Sequence, residues 1–108
     1  MSYITAHVLD ATAGVPARGV EIQLLTPDGE QLATGITDDD GRVGDLGPET
    51  LEPGAYRVTF GTGDYFTARG KESFHPVVTV DFTVQAGEKH YHIPLLLSPF
   101  AYSTYRGS

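Results

Sequence analysis

Apolar and polar residues alternate with a period of two along much of the chain. Such alternation is typical of β-strands that pack one face against a core and turn the other face outward. Five runs show the pattern, at residues 3–9, 19–25, 56–60, 78–84 and 90–97. The predicted core residues are Ile4, Ala6, Val8, Val20, Ile22, Leu24, Tyr56, Val58, Phe60, Val78, Val80, Phe82, Val84, Tyr91, Ile93, Leu95 and Leu97.

Turn-forming residues separate these runs, at Pro27-Asp28-Gly29, Asp40-Gly41, Pro53-Gly54, Ala86-Gly87 and Ser98-Pro99. Strands separated by turns at this spacing predict an antiparallel β-sandwich. The segment from Thr62 to Gly70 departs from the alternation and predicts a short helix, because Thr62 or Asp64 can begin it and Gly70 can end it. We therefore expect an all-β fold with one short helix.

Length and composition limit the classes of protein to consider. The 108 residues suffice for one domain, which we assign to residues 1–108. Seven basic and fourteen acidic residues give a net charge of −7, which argues against nucleic-acid and membrane partners. The absence of cysteine excludes disulfides and thiol nucleophiles. No stretch reaches membrane-spanning length and no signal peptide is visible, so we predict a cytoplasmic protein.

The outward faces of the first and last runs carry histidines beside apolar residues. The residues predicted to face outward there are Tyr3, Thr5, His7, Leu9, His90, His92, Pro94 and Leu96. A sheet that is partly apolar on its outer side usually meets another surface, and a symmetric oligomer is the simplest candidate. Such an interface would partly bury His7 and His92 and shift their pKa values. This pattern indicates acid–base chemistry without a metal.

Other polar clusters carry weaker signals. His90 and His92 could form a metal site with His7, but no carboxylate spacing completes a zinc pattern, so we predict no metal. The Asp38–Gly41 segment is similar to the start of a calcium loop, but the positions that need acids hold Ile36 and Gly47; it is interpreted as an acidic turn.

Arg42 and the end of the chain each leave two interpretations open. Arg42 follows the acidic turn and is either a solvated surface residue, which composition favours, or a residue that recognises a carboxylate or carbonyl group. The closing segment from Tyr105 to Ser108 is either a frayed tail or an ordered one.

Four segments resemble one known family: His7-Val8-Leu9-Asp10, Thr37 to Arg42 with its closing Asp40-Gly41-Arg42, His90 to Pro99, and Tyr102 to Ser108. Together they are similar to the transthyretin-related 5-hydroxyisourate hydrolases of urate degradation. The similarity runs from about Tyr3 to the last residue. The closing Tyr-Arg-Gly-Ser is its most specific part, because it distinguishes these enzymes from transthyretin, a thyroid-hormone carrier of the same fold.

The resemblance implies an eight-stranded transthyretin-like sandwich with one short helix. It also implies a homotetramer, a dimer of dimers, with active sites in the clefts where dimers meet, and a reaction that needs no cofactor. The implied reaction is hydrolytic opening of 5-hydroxyisourate to 2-oxo-4-hydroxy-4-carboxy-5-ureidoimidazoline. The implied catalytic residues are His7, Arg42 and His92, and the implied substrate-binding residues are Tyr105, Arg106, Gly107 and Ser108.

These residue types predict a mechanism in outline. One of His7 and His92 takes a proton from water as it attacks the ring carbonyl, and the other orients the water or passes the proton on. Arg42 holds the substrate and offsets developing negative charge. Which histidine is the base stays open. A transthyretin-type carrier of small ligands is the alternative, although the histidines would polarise an apolar channel, and a structural immunoglobulin-like module ranks third.

Overall fold

The structure, a computed structural model, describes residues 3–107 and builds them into two sheets and one helix. Its elements are β1 (Ile4–Asp10), β2 (Val15–Pro16), β3 (Glu21–Leu25), β4 (Gln31–Ile36), β5 (Arg42–Val43), β6 (Gly54–Phe60), α1 (Thr62–Ala68), β7 (Val78–Val84), β8 (Tyr91–Ser98) and β9 (Ala101–Thr104). The predicted all-β fold with one short helix is confirmed.

Strand pairing departs from the prediction at one place. One sheet has the order β2-β1-β8-β9, with β5 also paired to β1, and the other has the order β4-β3-β6-β7. Among the described strands β1 and β8 run parallel, whereas the other pairs are antiparallel. A hairpin forces its strands to be antiparallel. No such limit applies here, because the whole of the second sheet and the helix lie between β1 and β8 in the sequence.

The core lies between the two sheets and consists of the residues that the alternation predicts. Most of the predicted core residues are buried, and Tyr56, Val80 and Phe82 are partly buried against them. The prediction that Tyr3 faces outward is wrong, because its side chain is only 6% exposed. Tyr3 precedes β1 and is therefore not bound by the alternation; its ring packs against Tyr91 and its hydroxyl donates to the carbonyl of Glu88.

The helix occupies the predicted segment and buries one face in the core. Thr62, Tyr65 and Phe66 are its buried residues, and their spacing of three and four places them on one face. The chain leaves the helix through Gly70, whose φ of 68° lies in the left-handed region that glycine adopts without strain. The sequence prediction of Gly70 beyond the helix end is thus confirmed.

A buried carboxylate joins the helix to the end of β1. Asp10 is 3% exposed and accepts hydrogen bonds from the backbone N–H groups of Thr12 and Ala13, at 3.1 and 2.9 Å. Its other oxygen accepts a hydrogen bond from the hydroxyl of Tyr65 at 2.9 Å. Burial, and next the hydrogen bond to Asp10, raise the pKa of Tyr65 to about 12, so the phenol stays protonated and remains a donor.

Replacing Asp10 with Ala should lower the free energy of unfolding by about 3 kcal/mol, because three donors then lose an ionised acceptor. Urea denaturation followed by circular dichroism measures the change. Asp28→Ala, in an exposed turn, is the matched control and should change stability by less than about 0.5 kcal/mol. Equal stability of the two variants would show that the Asp10 hydrogen bonds add nothing.

Candidate active site

The register between β1 and β8 brings the two predicted catalytic histidines to the same face. Thr5 lies beside His92 across this parallel pair, and His7 follows Thr5 by two residues on the same side. The ring centroids of His7 and His92 are 6.2 Å apart. The predicted outward histidine pair is therefore present, on two adjacent strands of one sheet.

The acidic turn places Arg42 on this face. β5 pairs antiparallel with β1, and Arg42 stands directly opposite His7 in that pairing. The carboxylate of Asp38 accepts hydrogen bonds from the backbone N–H groups of Arg42 and Asp40, at 3.0 and 2.9 Å; the bond from Arg42 first, and then that from Asp40, hold the pKa of Asp38 below its usual range. Gly41 has a φ of 74°, and a Cβ there would meet the carbonyl of Val8 at 2.3 Å. The interpretation of Asp38–Gly41 as an acidic turn is thus confirmed, and the geometry of this turn places Arg42 opposite His7.

A cavity of about 260 Å³ opens beside these side chains. Its lining residues are Thr5, Ala6, Arg42, Val43, Gly44, His90 and His92. Imidazole and guanidinium groups thus converge on a space that can hold a small polar molecule.

A hydrogen bond fixes the proton of His7. The Nε2 atom of this ring lies 3.0 Å from the carbonyl oxygen of Asp40. A carbonyl oxygen only accepts, so Nε2 carries the hydrogen. In the neutral ring Nδ1 of His7 is consequently the nitrogen with the free lone pair.

His92 is held by a hydroxyl group and stays neutral. Its Nδ1 lies 2.8 Å from Oγ1 of Thr5, and the same oxygen lies 3.0 Å from Nε2 of His90. Burial lowers the pKa of His92 below the ordinary value of 6.5. The neighbouring His7, Arg42 and His90 lower it further, in that order. A neutral imidazole at neutral pH is able to accept a proton.

Sequence reasoning gave Thr5 no functional role, although it placed Thr5 on the outward face. The period of two that singled out His7 assigns Thr5 to the same face, two residues earlier, and this was the available signal. What the pattern could not give is the register that sets Thr5 beside His92, which depends on strand pairing across the whole chain.

The end of the chain returns to His92. Gly107 donates its backbone N–H to the carbonyl of His92 at 2.9 Å and continues the β8–β9 register beyond β9. Pro94 lies between the His92–Gly107 bridge and the β8–β9 pairs, and it interrupts the hydrogen-bonding ladder there because proline has no N–H to donate. A Cβ at Gly107 would lie 2.5 Å from Cδ2 of His92, so only glycine fits against this ring. The tail is ordered as far as Gly107, so of the two interpretations, a frayed or an ordered tail, the structure supports the ordered one up to this residue.

Two other predicted substrate-binding residues lie elsewhere in this chain. The guanidinium of Arg106 stacks 4.4 Å from the ring centroid of Tyr91 and pairs with Glu88 at 3.3 Å. Tyr105 is 59% exposed and lines a separate cleft of about 310 Å³ with Arg106 and Phe82. Within one chain the structure does not bring Tyr105 or Arg106 to the histidines. Ser108 lies outside the described residues.

Two kinds of feature do not occur in the described part of the chain. Residues 3–107 contain no group of three or more histidine, aspartate or glutamate side chains that could hold a metal ion. Over the same residues, no helix has the length and apolar character that crossing a membrane would need.

The chain resembles known proteins over nearly its whole length. A 5-hydroxyisourate hydrolase of Salmonella typhimurium is 47% identical over 109 residues, covering 97% of this chain and 80% of that protein. The structure of a Klebsiella pneumoniae 5-hydroxyisourate hydrolase superimposes with a TM-score of 0.91 at 37% identity, over 99% of this chain and 100% of that one. The structure of sea bream transthyretin in complex with thyroxine superimposes with a TM-score of 0.89 at 40% identity, over 97% of this chain and 94% of that one.

The family model described as the HIUase/Transthyretin family matches residues 4–107, which takes in both sheets, the helix and the histidine face. This chain therefore belongs to the HIUase/Transthyretin family.

Proposed function

We propose that this protein is a hydrolase that opens the ring of 5-hydroxyisourate to give 2-oxo-4-hydroxy-4-carboxy-5-ureidoimidazoline. Relatives at 43–47% identity that carry the name 5-hydroxyisourate hydrolase support this assignment. Likeness of fold alone does not separate a hydrolase from a carrier, because a transthyretin superimposes almost as well. The side chains on the outer face have to make that distinction.

The observation that carries the proposal is that His92 and Arg42 line one cavity, while the ring of His7 lies 6.2 Å from that of His92 on the same sheet face. A carrier of apolar ligands needs an apolar lining, whereas this cavity is lined by two imidazole rings, His90 and His92, and by the permanent cation Arg42. Hydrolysis of a cyclic amide needs a base for the water and a positive group for the oxygen that gains charge. The grouping supplies both.

We assign the role of base to Nε2 of His92, because Nδ1 of this ring is engaged with Thr5 and the lowered pKa keeps the ring neutral. The oxygen of water attacks the ring carbonyl carbon while Nε2 takes one proton of that water. The ring C–N bond then breaks, and the imidazolium returns the proton to the leaving nitrogen. The two halves of the reaction balance without any other reagent.

His7 and Arg42 take the two remaining roles. Nδ1 of His7 is an acceptor in the neutral ring and so can hold the second hydrogen of the water in place. The guanidinium of Arg42 is planar and always charged, so it can bind the polar substrate and stabilise the oxyanion that forms on the carbonyl. Tyr105, Arg106, Gly107 and Ser108 stay predicted substrate-binding residues.

The test is a coupled absorbance assay. Urate oxidase generates 5-hydroxyisourate in the cuvette, and its near-ultraviolet band is followed with and without this protein in EDTA. We expect faster decay with the protein present. Decay at the spontaneous rate, from protein shown to be folded, would contradict the hydrolase proposal and favour the carrier, for which small aromatic ligands would then be screened.

Activity should persist below neutral pH. Because the pKa of His92 is lowered, the ring becomes protonated, and loses its function as a base, only below the ordinary 6.5. We therefore expect the acid limb of kcat/KM to have its midpoint below that value. Measuring kcat/KM from about pH 5 to about pH 8 locates the limb. A midpoint above 6.5 would contradict the assignment of His92 as the base.

We also propose that the protein assembles as a homotetramer, a dimer of dimers. Three apolar side chains are exposed in the single chain on or beside the sheet that carries the histidines: Val15 of β2 at 50%, Tyr102 of β9 at 41%, and Phe100, in the turn between β8 and β9, at 65%. Light scattering after gel filtration should give a mass about four times the 11.6 kDa of one chain. A mass near 11.6 kDa would contradict this assembly. The cytoplasmic location stays a prediction from the sequence.

A further inference from the structure

One hydroxyl group joins two histidine rings at the edge of the candidate site. Oγ1 of Thr5 lies 2.8 Å from Nδ1 of His92 and 3.0 Å from Nε2 of His90. The parallel register sets Thr5 beside His92, and His90 precedes His92 by two residues. Threonine is branched at Cβ and has few side-chain rotamers, which keeps Oγ1 in place between the two rings.

The hydroxyl group has one hydrogen, so it can donate to only one of the two rings. If it donates to Nδ1 of His92, the neutral ring must carry its proton on Nε2, and Nε2 then cannot act as a base. If it donates to Nε2 of His90, or if Nε2–H of His90 donates to it, its lone pair accepts from Nδ1–H of His92. In this second arrangement Nε2 of His92 has the free lone pair.

The reaction itself favours the second arrangement. When His92 accepts a proton from water it becomes an imidazolium, and both of its nitrogens are then donors. A Thr5 hydroxyl that already accepts from Nδ1–H keeps this hydrogen bond while the charge develops, so no group has to rotate. A hydroxyl that pointed its hydrogen at Nδ1 would have to turn away before the ring could carry a proton there.

We propose that Thr5 and His90 are positioning residues that hold neutral His92 in the tautomer with its proton on Nδ1, which leaves Nε2 to accept a proton from water. His90 receives the hydroxyl hydrogen, and Thr5 passes this orientation to His92. The inference rests on the proposed hydrolase function, because it explains how that base is prepared.

Four full-length variants test the roles of the two residues. Thr5→Val replaces the hydroxyl with a methyl group of similar size and should lower kcat about tenfold or more, with little change in KM, because Arg42 and the other lining residues are unchanged while the base is no longer held. Thr5→Ser restores the hydroxyl and should recover most of kcat. His90→Leu should lower kcat in the same way, and His90→Gln, which can still accept from Thr5, should recover part of it.

Thr79→Val is the matched control, since Thr79 is an exposed threonine of β7 in the other sheet. It should leave kcat and KM unchanged. Urea denaturation of each variant checks that it is folded. If Thr5→Val did not fold, His90→Leu would decide with the same measurements, because His90 precedes β8 and is only partly buried.

A spectroscopic measurement separates tautomer control from a merely structural role. Long-range ¹H–¹⁵N correlation spectra distinguish Nδ1–H from Nε2–H rings, and comparison with His92→Asn assigns the His92 signals. In the wild type we expect Nδ1–H, and in Thr5→Val a mixture of tautomers. A wild-type ring with its proton on Nε2, or a Thr5→Val spectrum and kcat equal to the wild type, would overturn the inference.

The two proposals fail in different ways. If the wild type did not hydrolyse 5-hydroxyisourate, the hydrolase proposal would fall, while the spectra would still report whether Thr5 sets the His92 tautomer. If the wild type were active and Thr5→Val equally active with an unchanged spectrum, the hydrolase proposal would stand and the positioning role would fall.

Discussion

His92→Asn should lower kcat for 5-hydroxyisourate by about 10²-fold or more, because the variant has no group at the position of Nε2 to take a proton from water. The amide of asparagine reaches about as far as Nδ1 of the imidazole, so the contact with Thr5 Oγ1 can be kept. The loss is therefore expected in the chemical step, with stability almost unchanged. The coupled assay in EDTA measures kcat, and urea denaturation measures the free energy of unfolding.

His75→Asn is the matched control for this substitution. The ring of His75 packs edge-on against Phe74 and Tyr102 and does not line the cavity beside His92. We expect it to retain the wild-type kcat within about threefold. If His92→Asn also stayed within that range, His92 would have no part in proton transfer and His7 would become the candidate base.

Arg42→Gln should lower kcat/KM by about 10²-fold to 10³-fold, the usual effect of removing a group that stabilises an oxyanion. The acidic turn should survive, because the hydrogen bond that Asp38 accepts from residue 42 comes from the backbone N–H, which glutamine also has. Arg42→Lys keeps the charge but loses the planar pair of donors, so we expect it to recover only part of the activity. Steady-state kinetics of the three proteins provide the comparison.

Arg57→Gln is the control for loss of an arginine. Arg57 lies in the other sheet and pairs with Asp81 at 2.7 Å on an exposed surface, so its removal should change stability little and leave kcat/KM unchanged. Should Arg42→Gln and Arg57→Gln have the same kcat/KM, Arg42 would be the solvated surface residue that composition favours.

The alternation of apolar residues predicts the longer strands because one face of each meets the core. It predicts β1, β3, β6, β7 and β8 well. It misses β4, whose sequence Gln-Leu-Ala-Thr-Gly-Ile does not alternate. As an edge strand, β4 is held by its pairing with β3 more than by burial of one face. The two-residue strands β2 and β5 are too short to show any period.

In the candidate site too, local periodicity predicts some features, whereas others depend on strand pairing. The outward position of His7 and His92 follows from local periodicity, so sequence reasoning finds both. The hydrogen bonds of Thr5 to two histidines and of His7 to a backbone carbonyl depend on register between distant segments, which periodicity does not contain. The position of Arg106 over Tyr91 likewise depends on the antiparallel pairing of the tail with β8, which resumes at His92 and Gly107 after the interruption at Pro94.

The parallel pairing of β1 with β8 affects how the chain folds during translation. During synthesis β1 leaves the ribosome before the whole of the second sheet, whereas its partner β8 and the tail that reaches His92 leave after it. A nascent chain thus carries the apolar side of β1 with one edge unpaired until β8 has emerged, and it is exposed to aggregation and to chaperones for that time. The pair of His7 and His92 can form only after β8 has emerged, so we expect a chain stalled before β8 to be inactive however well its second sheet has folded.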